Sequence, residues 1–399
     1  MDPEKIRYQN DRDMAAQLLK HPAVVRVNEM IEKMQEEGPM GTRRRLLGTS
    51  VRLSRSMAPE VHRLADECIE ELEMEIPHEL FVFSSPQFNA ACFKPDQGKL
   101  FVMFSSSLLE KFSGNELKFV IGHEFGHHVY NHHEIPIGYL LRGSQPPDPR
   151  LALDLFAWSR SAEISADRAG AACAGDLHAI ARALFMLASG LSGEPIRFDL
   201  DEFLGQVDEM QVEDALPGQG APREDWFSTH PFSPLRVKAL QLFHQSELMV
   251  RDGQSHADLE VGVQRLLSLM EPSYLEARTD AASAMRRLLF AGAIVVARAD
   301  QDIGEREIKV FEDFFGKGEF SEELNIDRIA EALPNRIQVA VEQTSLTQRM
   351  QVLRDLCVVS MADGNSSSEE RVVLDDLADQ LGIARSFICQ TLAQDCNLD

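Results

Sequence analysis

Five consecutive residues, His123-Glu124-Phe125-Gly126-His127, constrain this chain more than any other feature of it. They sit within Glu116 to Tyr130, whose apolar spacing predicts a helix. On a helix, two histidines four residues apart project from one face and can chelate one metal ion, for which zinc is the expected choice. Glu124 lies beside them and can reach a metal-bound water as a general base. His128, His132 and His133 follow at once. At ~100° per residue, His128 and His132 project well away from the chelating face and His133 to its side, so all three read as surface or supporting groups.

A catalytic zinc takes three protein ligands and keeps one position open for water. The candidate for the third is Glu163, in Ser161-Ala162-Glu163-Ile164-Ser165-Ala166-Asp167-Arg168 on a helix predicted over about 151–173. Asp167 lies one turn on and can orient a ligand histidine or a nearby arginine. A Glu/Asp pair at this spacing is ordinarily a solvated face. Here its neighbours are small and apolar, and the helix ends in Ala169-Gly170-Ala171-Ala172-Cys173-Ala174-Gly175, which suits close helix packing.

This constellation resembles peptidase family M48, zinc metallopeptidases of the gluzincin group, in which a second helix supplies a zinc-binding glutamate. The resemblance rests on Val120-Ile121-Gly122 before the histidine motif, on Glu163 and Asp167, on Thr229-His230-Pro231 followed by Arg236, and on Asn89-Ala90 upstream. It covers about residues 60–245. It implies an endopeptidase acting on proteins or peptides, with one Zn²⁺ per chain held by His123, His127 and Glu163 and with Glu124 activating water. It places His230 or Arg236 near the cleft, to stabilise the oxyanion or to hold Asp167. The strand that begins at Asn89 and Ala90 would pair with an extended substrate. Many family members are membrane-embedded or exported, but no spanning helix or signal is visible here, so membrane-protein substrates are not implied.

Composition narrows the remaining classes. The 399 residues suit two or three domains, and the formal net charge of −24 makes nucleic acid and anionic membrane surfaces poor partners. The six cysteines show no C-x-x-C spacing and imply no disulfide framework. The start, Met1-Asp2-Pro3-Glu4-Lys5, is not that of a signal peptide, and the longest apolar run, Leu288 to Ala297, is too short to span a bilayer. A soluble, reduced, cytoplasmic protein without membrane insertion is the expectation.

The patterning predicts an α+β fold: a mostly helical gluzincin-type domain with a small β-sheet, followed by an all-α domain. Helices are expected over Asp11 to Glu37, Ala58 to Met74 and Asn115 to Asn131, and again from Pro234. Strand-like runs cover Leu80 to Phe83, Phe88 to Phe93 and Lys99 to Phe104, and Asp208 to Asp225 reads as an acidic loop. The expected division is an N-terminal helical segment 1–57, a peptidase domain 58–271 and a helical domain 272–399.

That last domain contains an internal repeat. Ala299-Asp300-Gln301-Asp302-Ile303-Gly304-Glu305-Arg306-Glu307 recurs as Ala362-Asp363-Gly364-Asn365-Ser366-Ser367-Ser368-Glu369-Glu370, each placing Glu seven residues after the first Asp. About residues 281–392 are similar to TerB-like domains, helical modules linked with tellurite resistance and stress systems. Asp300, Asp302, Glu307, Asp363, Asn365 and Glu370 admit two readings: oxygen ligands for Ca²⁺ or Mg²⁺, or turn and helix-capping residues. The spacing is not that of an EF-hand, and capping is the simpler reading. The domain could serve a regulatory protein partner. The functional alternative to a peptidase is a latent or non-hydrolytic zinc-binding stress-response scaffold, in which the TerB-like part does the work. Glu124 weighs against it, since a structural zinc site has no use for a base.

Overall fold

The structure is a computed structural model that describes residues 2–37, 41–142, 149–193, 196–213, 225, 227–270, 280–299, 303–315, 326–344, 346–362 and 364–395. The chain divides into two compact units, residues 1–208 with 227–253, and residues 209–226 with 254–399.

In the first unit the chain opens with short helices α1 (Pro3–Ile6), α2 (Gln9–Leu18), α3 (Pro22–Glu37) and α4 (Thr42–Thr49). The helix expected across Asp11 to Glu37 thus forms as two. Pro22 lacks an N–H and disfavours helical backbone at His21, so the chain stops at Leu18 and restarts on the proline. After strand β1 (Val51–Leu53) and helix α5 (Pro59–Glu71) come β2 (His78–Phe83), β3 (Ala90–Asp96) and β4 (Lys99–Ser105). The three longer strands match the apolar runs, whereas β1 has no such run behind it and forms by pairing antiparallel with β2, Val51 opposite Val82.

The sheet order is β1-β2-β4-β3, with β2 parallel to β4 and β3 antiparallel to it. Leu80, Phe81, Leu100, Phe101, Val102 and Phe104 bury the sheet's interior. β3 is an edge strand, as is β1 at the other side. β3 carries Pro95 beside a register irregularity between Phe93 and Asp96, the kind of position where an edge tolerates a proline.

Helices α6 (Ser106–Lys111), α7 (Gly114–Val129), α8 (Ile137–Arg142), α9 (Pro149–Ala174) and α10 (Leu177–Ser189) follow. The pair α7 and α9 is the spine of the unit. A Cβ on Gly170 would lie 2.6 Å from the Phe119 carbonyl oxygen, and one on Gly126 would lie 2.8 Å from the Ala169 Cβ. The two backbones therefore approach as closely as only small residues permit, which bears out the packing role of the Ala/Gly run. That approach sets the histidine face of α7 against Glu163 and Asp167 on α9. Helix Leu200–Glu213 occupies the start of the segment read as a loop from Asp208; residues 214–224 of that segment lie outside those described. Helix Ser233–His244 begins at the expected proline, with Pro234 in its first turn.

Among the described residues the regular elements of the second unit are helices. Helix Asp280–Ala297 packs against Ile326–Gln343 and Leu346–Ser360 around Leu288, Ile294, Leu353, Leu356, Leu377 and Ile388. Among the described residues no helix is long and apolar enough to cross a membrane.

Candidate metal centre

The approach of α7 to α9 brings three metal-ligating groups to one point. His123 Nε2 and His127 Nε2 are 3.2 Å apart, and the Glu163 carboxylate oxygens lie 3.5 Å from the first and 3.4 Å from the second. Their ligand atoms all fall within 4.8 Å of one another, and no other such group of His, Cys, Asp and Glu occurs among the described residues. Glu163 is buried, and its Oε2 accepts no hydrogen bond. Arg236 Nη2 at 3.4 Å and His123 Nε2 at 3.5 Å stand near that oxygen without hydrogen-bonding it, which leaves its lone pairs free to ligate a cation. Two imidazoles and a carboxylate match the borderline donor set of zinc, so these residues fit a zinc ion.

The surroundings fix each group. His123 Nδ1 is 2.9 Å from Asp167 Oδ1, and Arg236 donates to the same carboxylate through Nε at 2.8 Å and Nη2 at 2.6 Å. Burial alone would raise the Asp167 pKa. The Arg236 guanidinium and the His123 ring outweigh it and hold the carboxyl below its usual range. Burial opposes ionisation at Glu163 too, but His230, His127 and His123 hold its pKa well below the carboxylate range. Arg236 Nη2 also stands 3.4 Å from Glu163 Oε2, and its own pKa is raised, burial notwithstanding, by Asp167. Arg236 thus stands against both acids of α9, with its hydrogen bonds going to Asp167.

His230 lies on the other side of Glu163, its Nε2 3.3 Å from Oε1, with a side chain 61% exposed. Glu124 is buried on α7 within electrostatic reach of His127, Arg236 and Cys92. Cys92 is in the middle of β3, so the edge strand passes the candidate base. Ala90 opens β3, and Asn89 just before it exchanges two hydrogen bonds with Ser105, its N–H donating to Oγ at 3.0 Å and its carbonyl accepting from the Ser105 N–H at 2.8 Å.

His132, read as a surface or supporting group, takes a supporting place, though in a direction that helical projection does not give. Helix α7 ends at Val129, Asn131 takes a left-handed φ of 56°, and a 3-10 turn runs from His132 to Glu134. The turn carries His132 back, so that its Nδ1 lies 2.9 Å from His127 Nδ1. His132 is buried, and burial outweighs its carboxylate neighbour Asp11 in lowering its pKa and keeping it neutral. Asn at this position was the available signal, since asparagine commonly ends helices in the left-handed conformation.

The acids of the second unit are arranged differently. Glu307 Oε2 accepts from the Gly304 N–H at 2.7 Å, and Glu370 with Ser367 forms a reciprocal capping box at the start of Ser368–Leu381. Asn365 is exposed, and Asp300, Asp302 and Asp363 lie outside the described residues. The Ca²⁺ or Mg²⁺ reading finds no support among the described residues, and Glu307 and Glu370 are capping acids.

Residues 55–144 and 150–243 match peptidase family M48, and residues 286–390 match the tellurite resistance protein TerB. The chain is 29% identical over 211 residues to the plastoglobule-localized metallopeptidase 48 of Arabidopsis thaliana, a match that covers 50% of this chain and 61% of that protein. It is also 32% and 31% identical over 72 residues to protease HtpX homologs from two strains of Helicobacter pylori, covering 18% of this chain and 23% of each relative. The chain thus spans less than two thirds of the length of these relatives. No solved structure matches it.

Proposed function

The chain joins an M48 peptidase region to a TerB region, and from that premise we propose that it is a zinc-dependent endopeptidase acting on proteins or peptides. The observation that carries this reading is the convergence of His123, His127 and Glu163 with the carboxylate of Glu124 retained next to them on the same helix. A purely structural zinc site closes its coordination with four protein ligands and needs no base.

Zinc at this site would polarise the scissile carbonyl and lower the pKa of its water to ~7. The protein's own groups do the rest. His123, His127 and Glu163 would hold the ion. Glu124 takes a proton from the attacking water on its carboxylate and delivers it to the leaving amine. His230, exposed beside Glu163, donates to the developing oxyanion. Asp167 holds the His123 ring while Arg236 neutralises the carboxylate behind it.

Substrate binds as an added strand on the open edge of β3, where main-chain pairing selects extended peptide more than sequence. Pro95 has no N–H to offer, so pairing is confined to Ala90 through Lys94. The TerB region, whose described acids cap helices, is the part we assign to partner recognition or to control of the peptidase.

The test compares hydrolysis of an unfolded protein substrate by the wild type and Glu124→Gln, with zinc measured on both. The reading predicts equal zinc and a rate lowered by at least 100-fold, the lower end of what general base catalysis contributes. Equal zinc without activity in either protein would favour the scaffold alternative instead.

A further inference from the structure

The two histidine ligands are supported by different parts of the chain. His123 leans directly on Asp167, whereas His127 leans on His132, and His132 Nε2 in turn stands 3.1 Å from Oδ2 of Asp11 on α2. Asp11 is fully buried and lies outside the residues that match the peptidase family. Every other contact of its carboxylate is a donor: Arg7 Nε at 2.8 Å, Trp158 Nε1 at 3.0 Å and Ser165 Oγ at 2.7 Å. Ser165 Oγ accepts from the Tyr8 N–H at 3.1 Å and donates its own proton to Asp11.

We propose that the N-terminal segment is a working part of the metal centre, with Asp11 and His132 as positioning residues that fix the tautomer and aim of His127. The direction of the chain of hydrogen bonds is fixed at its two ends, by the Asp11 carboxylate and by the ligand face of His127. Asp11 only accepts, so His132 Nε2 carries its proton and donates it. His127 presents Nε2 to the ligand cluster, and keeps a lone pair there only with its proton on Nδ1, so it donates from Nδ1 and His132 Nδ1 accepts. That leaves the lone pair of His127 on Nε2, the atom facing His123 Nε2 and Glu163 Oε1. Carboxylate and carbonyl partners of ligand histidines act in this way generally, and here the carboxylate acts through a second imidazole.

The segment is anchored for the task. Tyr130 Oη donates to the Pro3 carbonyl at 3.0 Å, Arg168 Nη1 to the Ile6 carbonyl at 3.3 Å, and Asn10 Nδ2 to Ser161 Oγ at 3.0 Å. Ile6, Tyr8, Ala15 and Leu18 are buried alongside Asp11. Residues 3–18 are thus docked on α9 and at the end of α7.

This inference rests on the assignment of His123, His127 and Glu163 as zinc ligands, and its test reads the metal rather than the peptidase rate. Zinc affinity of the full chain is measured by competition with a chromogenic chelator for wild type, Asp11→Asn, His132→Phe and His132→Asn, beside the melting temperature of each metal-free protein. His132→Phe and Asp11→Asn should bind zinc about 10- to 100-fold more weakly, the range found for such supporting partners. His132→Asn keeps an oxygen near the Nδ1 position as acceptor, and should recover part of the loss. A merely structural role would lower melting temperatures and leave the affinity of the folded protein unchanged. Wild-type affinity in the folded His132 variants, or equal losses in His132→Phe and His132→Asn, would overturn the proposal alone. A wild type that takes up no zinc would overturn the ligand assignment and the proposal together. If Asp11→Asn fails to fold, the His132 pair decides the matter.

Discussion

Acidic side chains do opposite work in the two units. On α9, Glu163 and Asp167 are buried and face imidazoles and a guanidinium. In the helical unit, Glu307 and Glu370 are also buried, yet each folds back on a backbone N–H three residues before it. Burial and charge are shared, so neither identifies a functional site. What the carboxylate faces does: converging side chains with a donorless oxygen mark the first place, and a satisfied helix terminus marks the second.

Removing the cationic partner of a buried acid should separate the two regions most. Arg236→Met leaves the Asp167 charge buried with His123 as its remaining partner, and a loss of about 3–5 kcal/mol is expected in chemical unfolding of the first unit. Arg385→Met, whose pair with Asp379 is solvent-exposed, should leave unfolding unchanged. A similar cost for both would mean that burial of Asp167 is not what distinguishes it.

The glycine contacts sharpen the comparison at smaller scale. Gly170→Ala puts a Cβ against a backbone carbonyl that cannot step aside, and overpacking of this kind costs about 1–3 kcal/mol. Gly292→Ala in the helical unit meets Leu356 Cδ1 at 2.9 Å, a side chain that can rotate, and should cost less. Thermal melts of the two variants check the order, and the reverse order would contradict the close-packed spine assigned to α7 and α9. Smallest is the cap: Ser367→Ala should cost about 1 kcal/mol of stability with zinc content unchanged. A change in bound zinc on that substitution would return the helical unit to candidacy as a cation site.

Much of this was readable from residue spacing because it is local. His123, Glu124 and His127 are set by one helical turn, and Glu163 with Asp167 by another. The run of Ala and Gly after them announces that two helices meet at backbone distance. The exchange between Glu370 and Ser367 is likewise local. Asp11 left no local trace, since its partner His132 lies 121 residues away and only the folded chain joins them. His132 itself was projected onto the wrong side because a helical wheel assumes that the helix continues, whereas the left-handed Asn131 ends it. β1, three residues long, is too short for periodicity and exists through its pairing with β2.

The central claim is that the acids on α9, and not those of the helical unit, hold the metal. The most direct measurement is bound zinc per chain after exhaustive dialysis, for the wild type, Glu163→Gln and the double variant Glu307→Gln/Glu370→Gln. The account predicts one zinc on the wild type and on the double variant, and its loss from Glu163→Gln. Zinc retained by Glu163→Gln, or lost from the double variant while the peptidase unit stays folded, would contradict it.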